Sequence, residues 1–309
     1  MAGDVNARPR PAVRLRRVPA EPPSPRPFAA DPADWVVFEH AGGERPDLRA
    51  QAALAEAMRL ALMEAWTKAN GSVAPAWISG HEADRTPARE AHLAVLPMAN
   101  LGWTHSDGRL MGLALVPPSA EAEAWREPGP EAFSRRQAFR RALARLGEAD
   151  AEGRTVLTLA PPGGKAWSWR LMPAASGLKS LDPDRYLRPA RIWASATPVL
   201  LDRHLKSSGP PERSNEAEGL VRAACPRAGL PDLETVVLTK HAAIRGTPSA
   251  RPAGGNPRWT GWARRRSFGR RDFVHARLVF DAPVAGPVLI GAGRFHGLGL
   301  FLPMAEGSR

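Results

Sequence analysis

An α+β chain of two tandem ferredoxin-like βαββαβ units is what this sequence of 309 residues predicts. Strand-like apolar runs and amphipathic helical stretches follow one another as β-α-β-β-α-β. The same order returns after residue 190 with its second helix shortened. A glycine-rich loop then precedes the closing strand. The length exceeds one domain of roughly 100 to 200 residues, and the expected divisions are a basic Pro/Arg-rich arm over 1–30, a first unit over 31–190, and a second unit with the loop over 191–309.

Pro and Arg dominate residues 1–30 without a hydrophobic period, which suits a flexible arm. Asp34–Glu39 reads as a short strand ahead of a Gly-Gly turn. From Leu48 to Ala69, the residues Leu54, Met58, Ala61, Leu62 and Ala65 recur at three- and four-residue steps on strong helix formers. Gly and Pro punctuate Asn70 to Glu90, so a loop is expected there. His92–Pro97 and Gly108–Val116 read as strands, with Trp103 and His105 in the loop between them. Phe133–Leu146 reads as a basic helix with Phe139, Leu143 and Leu146 on one face, and Thr155–Leu159 closes the unit. Trp167 and Trp169 alternate in the following connection, as in one more strand.

The second unit opens on the strand Trp193–Leu201. A helix over Ser214–Ala228 follows, with Ser214 as its N-cap and Gly229 at its C-terminal end. Glu234–His241 and Val274–Phe280 read as strands around a long loop, Ala250–Arg271, and Leu298–Leu302 comes last. Ahead of it, Gly291, Gly293, Gly297 and Gly299 bracket Arg294 and His296. Such glycines let backbone approach a partner closely while the cationic side chains point at it, which suits a phosphate chain. The segment is neither a Walker A motif nor a Rossmann fingerprint.

Lys and Arg total 43 against 31 Asp and Glu, a formal charge of +12. That balance points to a polyanion, nucleic acid first, although the Arg, Ala and Pro enrichment of a GC-rich genome would give the same bias. Arg264, Arg265, Arg266, Arg270 and Arg271 form the densest basic stretch, just after Trp259 and Trp262. Arginines neutralise phosphates and aromatic rings stack unpaired bases; the alternative is that the rings tuck into the core. The single cysteine, Cys225, rules out an intramolecular disulfide and a Cys-based zinc site, and reads as a helix-packing residue in a reducing compartment. No apolar run nears the roughly 20 residues of a membrane span. A cytoplasmic location and no membrane partner are expected.

The eight histidines are the candidate acid–base groups near neutral pH. His81, His92 and His105 surround one strand–loop–strand feature and His296 sits in the glycine loop, while His40, His204, His241 and His275 read as strand-end or core-edge residues. No His-Glu-x-x-His helix argues for a metal, and no Gly-x-Ser-x-Gly elbow argues for a serine hydrolase.

Several stretches together resemble a known family: Ser79-Gly80-His81, His92-Leu93-Ala94-Val95-Leu96-Pro97, His105-x-Asp107-Gly108-Arg109, Trp193-x-x-x-Thr197-Pro198-Val199-x-Leu201-Asp202-Arg203, and Gly286-Pro287-x-x-x-Gly291-x-Gly293-Arg294-x-x-Gly297-x-Gly299-Leu300-Phe301. They are similar to the RAMP superfamily of CRISPR systems, and more narrowly to the fused backbone-and-processing subunit of type I-G (formerly I-U) effectors. That family usually carries a further N-terminal backbone domain, so this chain is expected to correspond to the processing half. The resemblance implies RRM/RAMP-type units that cleave precursor CRISPR RNA within its repeat, with no metal or cofactor, leaving a 2′,3′-cyclic phosphate.

On that resemblance His105, His92 and His81 would serve as acid–base groups with Arg109 as electrostatic helper, and His296 ranks lower. RNA would be held by Gly291, Gly293, Arg294, His296, Gly297 and Gly299, and by Arg264, Arg265, Arg266, Arg270, Arg271 and Trp262. Expected partners are repeat RNA or crRNA and other CRISPR effector subunits. Two other readings stand beside this one. The first is a non-catalytic crRNA-binding backbone subunit. The second is a ferredoxin-like metabolic enzyme whose basic charge reflects genome composition.

Overall fold

The computed structural model describes residues 26–160, 168–251, 259 and 271–305. The basic arm up to residue 25 and the side chains of Trp167, Trp262, Arg264, Arg265, Arg266 and Arg270 lie outside the described residues. The chain is mixed α+β with two antiparallel sheets, an arrangement compatible with ferredoxin-like folds.

The first sheet comprises β1 (Val36–Gly42), β2 (Ala94–Ala99), β3 (Leu110–Val116), β4 (Glu148–Ala149), β5 (Thr155–Leu159) and β6 (Trp169–Pro173), in the order β2-β3-β1-β6-β5-β4. Phe38 of β1 faces Leu113 on one side and Pro173 on the other. The strand beside β1 is therefore β6. Thr155–Leu159, expected to close the unit, instead pairs with the outer side of β6, Leu157 against Leu171. Burial explains the order. Trp169 is fully buried and its indole N–H donates to His40 Nδ1 at 2.9 Å, a tie available only if β6 lies against β1.

Two short helices, α2 (Ala76–Ser79) and α3 (Ser119–Ala124), accompany the long α1 (Gln51–Asn70) and α4 (Pro130–Ala144). Leu54, Met58 and Leu62 carry the buried stripe of α1 into the main core, as their helical spacing predicts. α1 ends at Gly71, whose φ of 66° supplies the left-handed cap.

The second sheet contains β7 (Ala190–Ser195), β8 (Val199–Leu200), β9 (Leu233–Thr239), β10 (Phe273–Val284) and β11 (Phe301–Met304), ordered β11-β7-β10-β8, with β9 also on β10. The expected strand Trp193–Leu201 is broken into β7 and β8. Pro198 has no N–H to give a ladder, and the backbone N–H groups of Ala196 and Thr197 both donate to the Leu300 carbonyl. The short α5 (Asp184–Leu187) precedes β7, and α6 spans Pro210–Arg227. Ser214 lies inside α6 rather than capping it. Gly209 occupies the N-cap and prolines occupy the first turn, where their fixed φ and missing N–H cost nothing. The last strand starts at Phe301, three residues later than expected, because 297–299 form a turn and Leu300 makes only an isolated bridge with Leu289.

Trp193, Val221, Cys225, Leu278 and Phe280 build a second core cluster under α6. The main cluster, however, draws on both sheets: Ala194, Leu289, Leu298, Leu300 and Leu302 join it. The turn Arg294–His296 packs against β2, the edge strand of the first sheet, and all six residues of β2 are buried. The edge that would otherwise be open for pairing is thereby covered.

Candidate nucleic-acid site at the start of β2

Three polar side chains seat the glycine loop on this edge. Arg59, on the buried side of α1, donates to the carbonyls of Ile78, Leu93 and Phe295, each at 3.0 Å. Gln51, two turns earlier, donates to Val95 O at 2.8 Å and His296 O at 3.3 Å. Thr197 Oγ1 donates to Gly297 O at 2.8 Å and accepts from the Leu300 N–H at 2.9 Å. Gly297 has φ 73°, and a Cβ there would come within 2.6 Å of Val95 O and Pro97 Cδ. Its missing side chain thus serves contact within the protein, where the sequence suggested open backbone for a partner.

Seating the loop gathers four of the predicted residues. The His92 ring stacks on Phe295 with centroids 3.6 Å apart and planes 25° apart. The Arg294 guanidinium lies 4.5 Å from the centroid of the same ring, and Phe28 meets it edge-on at 5.6 Å. His81 follows α2 and is exposed, with its Nδ1 3.2 Å from Ser79 O. Gly80, at φ 75°, leaves room for the His92 ring, since a Cβ there would lie 2.9 Å from Nε2.

Burial pushes His92 down to about 2, helped by the nearby charges of Arg59, His296, Arg294 and His81. His92 is therefore neutral at physiological pH, and its Nδ1 is enclosed without a hydrogen-bond partner. Burial also lowers Arg294, whose Nη1 donates only to Gly291 O at 3.3 Å and whose Nε is unpartnered. Beside it opens a cavity of about 1070 Å³ lined also by Arg26, Arg89 and Trp77. Of the acids on its wall, Asp31 and Asp34 pair with Arg126 and Glu121 accepts from the Trp125 indole, while Glu90 and Glu123 also line it. Among the described residues no ion pair holds Arg26, Arg89 or Arg294, so the cavity offers cationic donors to an anion.

The other predicted residues lie elsewhere. His105 is exposed in the loop after β2, at the opposite end of that strand from His92, some 20 Å away at the usual rise per residue. Arg109 is also at that end, its Nη1 donating to Glu44 at 3.1 Å and to Arg45 O at 2.7 Å. The histidine group expected around one strand–loop–strand feature is thus divided by the strand itself, His81 and His92 joining His296 while His105 does not. Arg271 stands at the start of the β10 region, and Trp259 is buried with its indole N–H donating to Ser249 O at 2.8 Å. Arg59, Gln51, Phe295 and Arg26 were missed. Only Arg59 and Gln51 left a signal: polar residues at helical spacing with the buried Ala55 and Leu62.

Among the described residues no group of three or more His, Cys, Asp or Glu is placed to hold a metal ion, and no helix is long and apolar enough to cross a membrane.

The described chain is thus an antiparallel α+β protein with an arginine-rich cavity beside a histidine-bearing loop. Residues 173–303 match the model of a family described as CRISPR-associated protein, GSU0054 family. Over that stretch the chain is similar to a CRISPR-associated protein; the match includes Arg294 and His296, and His81 and His92 lie outside it. No curated protein and no solved structure matches the chain.

Proposed function

We propose that this protein is a metal-independent endoribonuclease that cleaves precursor CRISPR RNA within its repeat, as a processing subunit of type I-G kind built on tandem ferredoxin-like units. The observation that supports this reading is the seating of the family-matched glycine loop on β2, which brings Arg294 and His296 to His81 and His92. One histidine removes the proton of a 2′-hydroxyl, whose oxygen attacks the adjacent phosphorus. The bond to the 5′-oxygen breaks, and a second histidine protonates that leaving oxygen. The products are a 2′,3′-cyclic phosphate and a 5′-hydroxyl. His81 and His296 take these roles, because His92 is enclosed beneath Phe295. Arg294 stabilises the extra charge on the pentacoordinate phosphorus. Other CRISPR effector subunits would receive the product.

The test uses CRISPR repeat RNA, with EDTA present. The parent should release a cyclic-phosphate end, and His81→Ala or His296→Ala should slow it at least a hundredfold. A gel shift by the parent without cleavage would overturn the reading. That outcome would favour the second one, a non-catalytic subunit that holds crRNA, which the enclosure of His92 supports.

A further inference from the structure

A second cationic feature lies at the far end of β2. The loop Gly102–Ser106 leaves Trp103 38 % exposed, the one tryptophan among the described residues that stands out as an exposed large apolar side chain. Tryptophan is highly buried on average. Its indole lies 4.0 Å from the Arg185 guanidinium carbon. Arg185 is in turn held in place: Nη2 donates to Leu101 O, while Nη1 is buried with no partner. The loop is braced by the Gly102 N–H on Arg245 O at 2.9 Å and the Trp103 N–H on Ser106 Oγ at 2.8 Å.

Beside this pair opens a cleft of about 640 Å³, lined also by Lys179, Arg188 and Arg245 and reaching the end of β11. All three of these cations are exposed. Two acids, Asp182 and Asp184, share the wall, but among the described residues neither forms an ion pair with the cleft cations; Asp182 accepts from the Asp184 N–H at 3.0 Å. A rigid aromatic face, a fixed guanidinium charge and three exposed cations match the needs of an unpaired base with its flanking phosphates. The volume suits one or two nucleotides.

We propose that this cleft binds a segment of single-stranded RNA, one base stacking on Trp103 and the backbone running along Arg185, Arg188, Arg245 and Lys179. The inference rests on the reading of the protein as an RNA-binding CRISPR subunit. A strand occupying both this cleft and the cavity at Arg294 must span β2, about 20 Å.

The experiment measures anisotropy of a fluorophore-labelled oligouridine with the full chain. Trp103→Ala should weaken binding about tenfold and Trp103→Phe should retain most of it. Arg188→Glu should flatten the dependence of log affinity on log salt by roughly one contact. Oligomer carrying 5-iodouridine should crosslink under irradiation to the peptide containing Trp103, and free uridine monophosphate should not displace it. Parental affinity in folded Trp103→Ala, with the crosslink elsewhere, overturns the proposal. So does displacement by the free nucleotide at matched concentration, which would make the cleft a mononucleotide pocket. Failures separate cleanly. A protein that binds RNA through Trp103 but cleaves none sinks the nuclease reading alone; one that cleaves with KM unaltered by Trp103→Ala sinks this inference alone.

Discussion

His92 and Phe295 lie face to face, centroids 3.6 Å apart, joining a residue two positions before β2 to the turn of the glycine loop. The stack is part of what holds the loop, together with the Arg59 bond to the Phe295 carbonyl at 3.0 Å. Phe295 is half-buried, so Phe295→Ala should cost about 2 kcal/mol, below the 3–5 of a fully buried phenylalanine. Urea unfolding measures this. A variant with parental unfolding would show that the stack carries no load.

The same enclosure sets a pH dependence. Burial holds His92 down at about 2 and His275 at about 4. In the unfolded chain both protonate near 6.5. The unfolded state therefore binds more protons below that pH, and stability must fall as the pH drops. The loss is at most about 1.4 kcal/mol per pH unit for each histidine, continuing to about 4 for His275 and about 2 for His92. Denaturant melts between pH 7 and pH 5 should show this slope, and His92→Phe should make it shallower. An equal slope in that variant would contradict the assignment.

His275 also has a defined tautomer. Its Nε2 lies 2.9 Å from the Pro248 carbonyl, which can only accept, so Nε2 carries the proton and Nδ1 accepts from Ser195 Oγ at 2.9 Å. Ser195 Oγ accepts in turn from the Ala276 N–H at 2.9 Å. Ser195→Ala strands two buried groups and should cost about 2–3 kcal/mol. A nitrogen-15 histidine spectrum at neutral pH should show the Nε2–H form, and the Nδ1–H form would refute the chain of bonds.

Arg59→Leu leaves three carbonyl acceptors, those of Ile78, Leu93 and Phe295, without their donor. A loss of about 3 kcal/mol or more is expected. Arg59→Lys should recover only part of it, since an ammonium lacks the planar fork. Thermal unfolding of the two variants checks the order, and a lysine variant as stable as the parent would overturn it.

Gly297→Ala combines a left-handed φ of 73° with a Cβ 2.6 Å from Val95 O. The conformation alone costs about 1–2 kcal/mol, and the contact forces the loop off β2. Hydrogen exchange at Val95 and neighbouring amides should accelerate. Unchanged protection would mean that the loop tolerates the methyl group.

Much of the secondary structure was legible because it rests on local pattern. The helix stripe of Leu54, Met58 and Leu62, the apolar runs of β2 and β3, and the helix before β9 need only a period and a cap to be read. Where prolines at positions 198 and 210–211 act, the boundaries moved by several residues, since a missing N–H or a preset φ shifts where a ladder or helix begins. The partner of β1 was not legible. Both Thr155–Leu159 and Trp169–Pro173 satisfy the strand pattern, and the choice fell to the buried Trp169 and its bond to His40.

The site divides along the same line. Residue types, the basic balance and the loop with Arg294 and His296 are properties of the chain alone, because charge and glycine spacing need no third dimension. Which histidine meets which arginine is different. It depends on the turn at 294–296 covering the edge of β2, held by Arg59, Gln51 and Thr197 through bonds to carbonyls far away in sequence. Carbonyl oxygens are identical in every residue and leave no mark in composition. Long-range packing alone places His81, His92 and His296 together, and leaves His105 in the loop of Trp103 at the other end of the strand.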